Sequence, residues 1–98
     1  MPPARDELDP GIIMVVDVPG ATVHGPGASW KVMVPVARAM ARLADGGLYG
    51  HDVIARAAGF DPQASLRDAI ATWRRGLDPV GLRLVEVPHI GIRVERIG

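Results

Sequence analysis

The sequence predicts an α+β domain in which short N-terminal strands precede three helices and a C-terminal β-hairpin. Two observations predict this order. The stretch 61–77, DPQASLRDAIATWRRGL, carries apolar residues at the spacing of one helix face. The next residues, GLRLVEV and GIRVERIG, have the alternation of two strands separated by a short break. A long helix followed by a hairpin, with two shorter helices before it, is the order of a winged helix-turn-helix domain.

Composition limits the class of protein. The chain has 98 residues, of which 48% are hydrophobic and 22% charged, and this suits one globular domain with a modest core. The absence of cysteine excludes disulfides, thiolate metal sites and a cysteine nucleophile. With no long apolar window and no signal-peptide core, we expect a cytoplasmic protein with no membrane partner. The formal net charge is zero, whereas most small DNA-binding domains are basic.

The first part of the chain is predicted to be an arm followed by a small sheet. Residues 1–11 contain three prolines and mixed charge, so we expect a flexible arm before a winged-helix domain at 12–98. Three strands are predicted, at 12–18, 21–24 and 30–34, separated by glycine- and proline-rich turns. Because these turns are too short for parallel crossovers, we expect antiparallel pairing.

Two short helices follow in the predicted order. The first covers 35–45, beginning at Pro35 and ending at Gly46 and Gly47. The second covers 51–58 and ends at Gly59, which opens a two-residue turn into the third helix. The residues expected to face inward on these two helices are Val36, Ala37, Met40, Leu43, Ala44, Val53, Ile54 and Ala57.

The third helix is predicted to begin at Asp61, with Asp61 as the N-cap and Pro62 in the first turn. It is predicted to end near Leu77, because Pro79 biases Asp78 away from helical angles. Its buried stripe is predicted to consist of Leu66, Ile70, Trp73 and Leu77.

The runs TWRRGL and EVPHIGIRV, within the element order from Ile12 to Val94, resemble the effector domain of OmpR/PhoB-type response regulators. That family has an LRxKL run at the end of its third helix and a TVRGxGYR hairpin. The resemblance implies a DNA-binding transcriptional regulator with a third helix in the major groove, a wing at the adjacent minor groove, and double-stranded DNA as partner. The residues expected to meet DNA are Ala64, Ser65, Arg67, Asp68, Ala71, Thr72, Arg74, Arg75, His89 and Arg93.

Several positions differ from the family's pattern. Thr72 stands where a basic residue commonly reads bases, and Pro88 stands where an arginine enters the minor groove. Glu86 replaces the usual threonine and would repel phosphate. Together with the zero net charge, these differences favour an alternative, a winged-helix protein–protein interaction module that has lost DNA binding. Its partner would be another protein or a second copy of the chain. The helix arginines favour DNA, so both hypotheses stay open here.

Other patterns give no sign of catalysis. Asp17 ends an apolar strand, as in nucleotide hydrolases that bind Mg²⁺, but no phosphate-binding loop precedes it. The three histidines, His24, His51 and His89, lack the spacing of metal ligands. With no Ser-His-Asp order and no paired carboxylates, we expect no enzyme, no metal and no cofactor.

Overall fold

A computed structural model describes residues 12–61, 63 and 65–97. The predicted arm at 1–11, together with Pro62 and Ala64, lies outside the described residues. The rest forms an α+β arrangement of three antiparallel strands, three helices and a two-stranded C-terminal hairpin. The predicted element order is therefore confirmed, although several boundaries differ.

The N-terminal sheet consists of β1 (Val15–Asp17), β2 (Thr22–His24) and β3 (Ser29–Lys31), antiparallel and in that spatial order. Each strand is shorter than predicted. Ile13 donates its N–H to the carbonyl of Ala44 at 2.9 Å, so the chain before β1 is bonded to a helix end. Hydrogen bonding to the neighbouring elements, in addition to β-propensity, therefore determines where these strands begin and end.

The first two helices are α1 (Val34–Leu43) and α2 (His51–Ala58). α2 has the predicted bounds and ends at Gly59, whose φ of +82° suits glycine. α1 ends two residues earlier than predicted. The predicted inward faces are rotated slightly, because Val53 and Ala57 are only partly buried. The residues fully buried on α1 and α2 are Ala37, Ala39, Met40, Leu43, Ile54, Ala55 and Ala58.

The start of the third helix was predicted wrongly. α3 spans Arg67–Leu77, so it begins six residues after Asp61. The Asp61 carboxylate instead accepts the N–H of Gln63 at 2.9 Å, closing a local turn. The N–H of Arg67 donates to the hydroxyl of Ser65 at 3.2 Å. The α2–α3 connection at 59–66 is therefore much longer than the predicted two-residue turn.

The end of α3 lies at Leu77 as predicted, but not for the predicted reason. Asp78 keeps helical angles, with φ −55° and ψ −50°. Pro79 belongs to a single 3-10 turn, Asp78–Val80, in which its lack of an N–H is tolerated. Gly81, at φ +87°, then turns the chain into the hairpin.

The hairpin pairs β4 (Leu82–Val87) with β5 (Gly91–Arg96), and 88–90 form its tip as predicted. Tyr49 adds a short bridge on the free edge of β5. Its N–H donates to the carbonyl of Ile92 at 3.0 Å, and the N–H of Ile92 donates back at 2.8 Å. The link between α1 and α2 is thus hydrogen-bonded to the C-terminal hairpin.

The core lies between the two sheets and the helices. Trp73 is 2% exposed, and the whole predicted stripe of α3 is buried, which confirms that prediction. Trp30 of β3 lies directly over Gly76 of α3, which brings the N-terminal sheet onto the helix. None of the helices in the described part of the chain is long and apolar enough to cross a membrane.

Candidate nucleic-acid interface

The outer face of α3 carries most of the predicted contact residues. Because the stripe around Trp73 is buried, the opposite side of the helix is turned to solvent. Neither Arg67 nor Arg75 has an ion pair with another described residue. The exposed residues of this face are Arg67, Asp68, Ala71, Thr72 and Arg75.

This outer face of α3 is mixed in charge. Asp68 contributes one negative charge between the two arginines, and Thr72 contributes a neutral hydroxyl. Ser65, just before α3, is exposed and bonded to the backbone of Arg67. Ala64, also predicted to meet DNA, lies outside the described residues. The arrangement offers two guanidinium groups with flanking polar donors and acceptors.

The side chain of Arg74 lies to one side of this face and forms an ion pair with the hairpin. Its Nη2 donates to Oε1 of Glu86 on β4 at 3.1 Å. Nε2 of His51, at the start of α2, lies 3.7 Å from the other oxygen of Glu86. All three side chains are substantially exposed, so the Arg74–Glu86 pair stabilises the fold by no more than about 1 kcal/mol. Its main effect is to place a carboxylate beside the Arg74 guanidinium.

An open groove connects these groups between α2, α3 and β4. Its lining includes residues of α3 that were predicted to meet DNA. It also includes His51 and Glu86, which were not among the predicted contact residues. His51 and Glu86 are 35 positions apart, so spacing in the sequence gives no signal of their meeting. The residues lining the groove are His51, Ser65, Leu66, Arg67, Ile70, Ala71, Arg74 and Glu86.

Arg93 is not brought together with the helix arginines. The register pairs Glu86 with Ile92, a buried residue, so Glu86 is on the hairpin face turned to the helices. Arg93 alternates with Ile92 and therefore lies on the opposite hairpin face. There its Nη2 lies 2.8 Å from Oε1 of Glu95, and Arg83 lies 2.8 Å from the other oxygen.

Arg83 and Arg93 also lower the pKa of the Glu95 carboxyl. The hydrogen bond from Arg83, followed by the charges of Arg93 and Arg83, holds the pKa of the Glu95 carboxyl below its ordinary value. Arg93 is thus ion-paired within the hairpin, to a carboxylate that it shares with Arg83.

His89 lies at the hairpin tip, within the break predicted between the two strands. It is exposed and has a φ of +65°, which closes the turn between β4 and β5. Its neighbour Ile90 is 60% exposed, so the tip presents an apolar as well as a polar side chain. The tip could therefore meet either a nucleic acid groove or a protein surface.

Two comparisons with known proteins do not assign the chain to a family. A scan against protein-family models gave no match, and a search of curated proteins gave none. The resemblance to OmpR/PhoB-type effector domains therefore stays a prediction. Within the described residues, no group of three or more His, Asp or Glu side chains is placed to hold a metal ion.

Proposed function

We propose that the chain is a winged helix-turn-helix domain that binds double-stranded DNA. In this proposal α3 enters the major groove and the C-terminal hairpin acts as the wing. One observation carries the proposal. The exposed face of α3 presents Arg67 and Arg75, neither paired with another described residue, immediately before a two-stranded hairpin.

The dimensions of α3 suit this role. Arg67 and Arg75 are eight residues apart, so they are separated by about 12 Å along the helix axis. That separation is similar to the width of the major groove, about 12 Å. Arg67 and Arg75 would contact phosphates or guanine, whereas Asp68 could accept a hydrogen bond from a cytosine amino group. Thr72, midway along the exposed face, would contact a base edge.

The ion pairs limit the strength of binding. Arg74 is paired with Glu86 and Arg93 with Glu95, so two of the four predicted phosphate-contacting cations already take part in ion pairs. Each phosphate neutralised contributes roughly 0.9 to the slope of log affinity against log salt. We therefore expect a slope of about 2 for one copy of the chain, and a slope of about 4 only if both pairs open on binding.

The test is a fluorescence-anisotropy titration against duplexes selected from a random pool and against a scrambled duplex. The double variant Arg67→Ala, Arg75→Ala should reduce the salt slope to near zero. Thr72→Ala should change the preference among sequences and leave the slope unchanged. The double variant Arg38→Ala, Arg42→Ala, on α1, is the control for loss of two positive charges away from α3. If the unmutated protein binds no duplex in a salt-dependent way, the proposal is wrong.

A second candidate is the protein-interaction module. Two observations favour it: the Glu86 carboxylate lies within the candidate interface, and Ile90 is exposed at the hairpin tip. A self-associating module would sediment as a dimer in analytical ultracentrifugation, and Ile90→Ser should restore the monomer. A monomer that binds DNA at the expected slope would exclude this candidate.

A further inference from the structure

A second groove lies between α1 and α2 and shares no residue with the α3 face. Its floor is made of small apolar side chains, and its rims carry three arginines. Arg38 and Arg42 come from α1, and Arg56 comes from α2 across the groove. The residues lining it are Arg38, Ala41, Arg42, Val53, Arg56 and Ala57.

The two arginines of α1 repel each other and so destabilise the helix. Arg38 and Arg42 are four residues apart, so they are neighbours on one face, about one helical turn apart. Like charges at this spacing destabilise a helix. The sequence of α1, VPVARAMARL, contains no acidic residue that could offset the repulsion. An anionic partner would remove this cost.

The nearby carboxylates leave the arginine donors largely unused. Asp45 accepts the hydroxyl of Tyr49 at 2.6 Å and the N–H of Gly47 at 2.8 Å. These hydrogen bonds, that from Tyr49 first, together with the charge of Arg42, lower the pKa of Asp45, which is not one of the residues lining the groove. Asp52 lies 3.8 Å from Arg56 along α2, in a solvent-exposed contact.

Arg42 lies over an aromatic ring. Its guanidinium carbon is 5.7 Å from the centre of the Tyr49 ring, so it is held near the groove by a cation–π contact. This contact uses the guanidinium face and leaves the N–H groups at its edge available. The side chains of Arg38, Arg42 and Arg56 donate no hydrogen bond to any residue in the described ranges.

We propose that the α1–α2 groove binds an acidic helical segment of a partner protein. Two carboxylates one turn apart would pair with Arg38 and Arg42, and a third would pair with Arg56. Small apolar residues between these carboxylates would pack on Ala41, Val53 and Ala57. That floor favours a peptide over a nucleic acid backbone, because phosphates and sugars gain little from contact with alanine and valine side chains.

The test uses a fluorescein-labelled helical peptide of about 14 residues, with glutamates four residues apart on both sides of an alanine and leucine stripe. A matched peptide carries glutamine at every glutamate position. Anisotropy should show binding of the glutamate peptide only. The double variant Arg38→Gln, Arg42→Gln should weaken that binding by about tenfold or more, because two charge-assisted hydrogen-bonded pairs are lost.

The matched control is Arg67→Gln, Arg75→Gln, which removes the same charge from α3 and should leave peptide binding unchanged. Circular dichroism is used to check that both double variants are folded. The proposal is overturned if the glutamine peptide binds equally well, if neither peptide binds, or if the α3 variant weakens binding as much. It is also overturned if Arg38→Gln, Arg42→Gln reduces binding to duplex DNA and not to the peptide. The proposal does not depend on DNA binding by α3, since each double variant is tested on both ligands.

Discussion

Two glycines determine how closely the secondary-structure elements approach one another. A Cβ at Gly76 would overlap the ring of Trp30, so this position lets the N-terminal sheet rest on α3. A Cβ at Gly91 would overlap the carbonyl of Tyr49, so this position lets the α1–α2 link bond to β5. Both requirements come from contacts between residues more than 40 positions apart.

Gly91→Ala should therefore destabilise the protein, by about 1–3 kcal/mol, because backbone atoms cannot move aside as a flexible side chain can. Urea unfolding monitored by tryptophan fluorescence measures the change. Gly27→Ala is the matched control, since a Cβ there meets nothing within 4 Å. An equal loss of stability in both variants would contradict the role assigned to Gly91.

Trp73→Ala should destabilise the protein by about 3–5 kcal/mol, because it removes a large side chain that is 2% exposed in the core. The measurement is chemical denaturation monitored by circular dichroism. Thr72→Ala, at the adjacent exposed position of α3, is the control and should change stability by less than about 0.5 kcal/mol. A small effect at Trp73 would mean that the helix is turned differently.

At the scale of elements, α2 and α3 show what the sequence could predict. Gly59 correctly predicted the end of α2, and the spacing of the apolar residues correctly predicted the buried face of α3. The start of α3 was not predictable from Asp61 and Pro62, because Asp61 can cap a helix or close a turn with the same carboxylate. The local hydrogen bond to Gln63 closes a turn instead.

The hairpin carries a pH-sensitive cluster. The pKa of Glu95 is held below its ordinary value of 4.5 by Arg83 and Arg93, so its ionised form is favoured in the folded state. Its contribution to stability is present above the unfolded pKa and is lost as the pH falls through the lowered, folded value. Glu95→Gln should therefore reduce the fall in Tm between about pH 6 and about pH 3.

Arg83→Gln is the companion variant, because it removes the first cause of the pKa shift and should flatten the same pH profile. Thermal denaturation followed by circular dichroism measures both profiles. Identical pH profiles in the variants and the unmutated protein would show that this cluster does not contribute to acid sensitivity.

Across the whole molecule, a net charge of zero conceals an uneven distribution. Arg67 and Arg75 are on the outer face of α3, three arginines line the α1–α2 groove, and on the hairpin Arg83 and Arg93 share the single carboxylate of Glu95. Helical period predicted which side of α3 is exposed. It could not predict that Arg74 and His51 would both lie beside Glu86, since that depends on how the hairpin packs against α2 and α3.

The charge balance at Glu86 gives the last prediction. Glu86→Gln removes a carboxylate from the proposed DNA interface and releases Arg74 from its 3.1 Å ion pair. Duplex affinity should rise, and the salt slope should increase by about 0.9 as Arg74 becomes available to one more phosphate. Anisotropy titrations at several salt concentrations measure both quantities. Asp17→Asn, in β1, gives the same change in net charge away from α3 and should leave the slope unchanged. If the two variants behave alike, the gain reflects net charge alone, and the Arg74–Glu86 pair does not limit DNA binding.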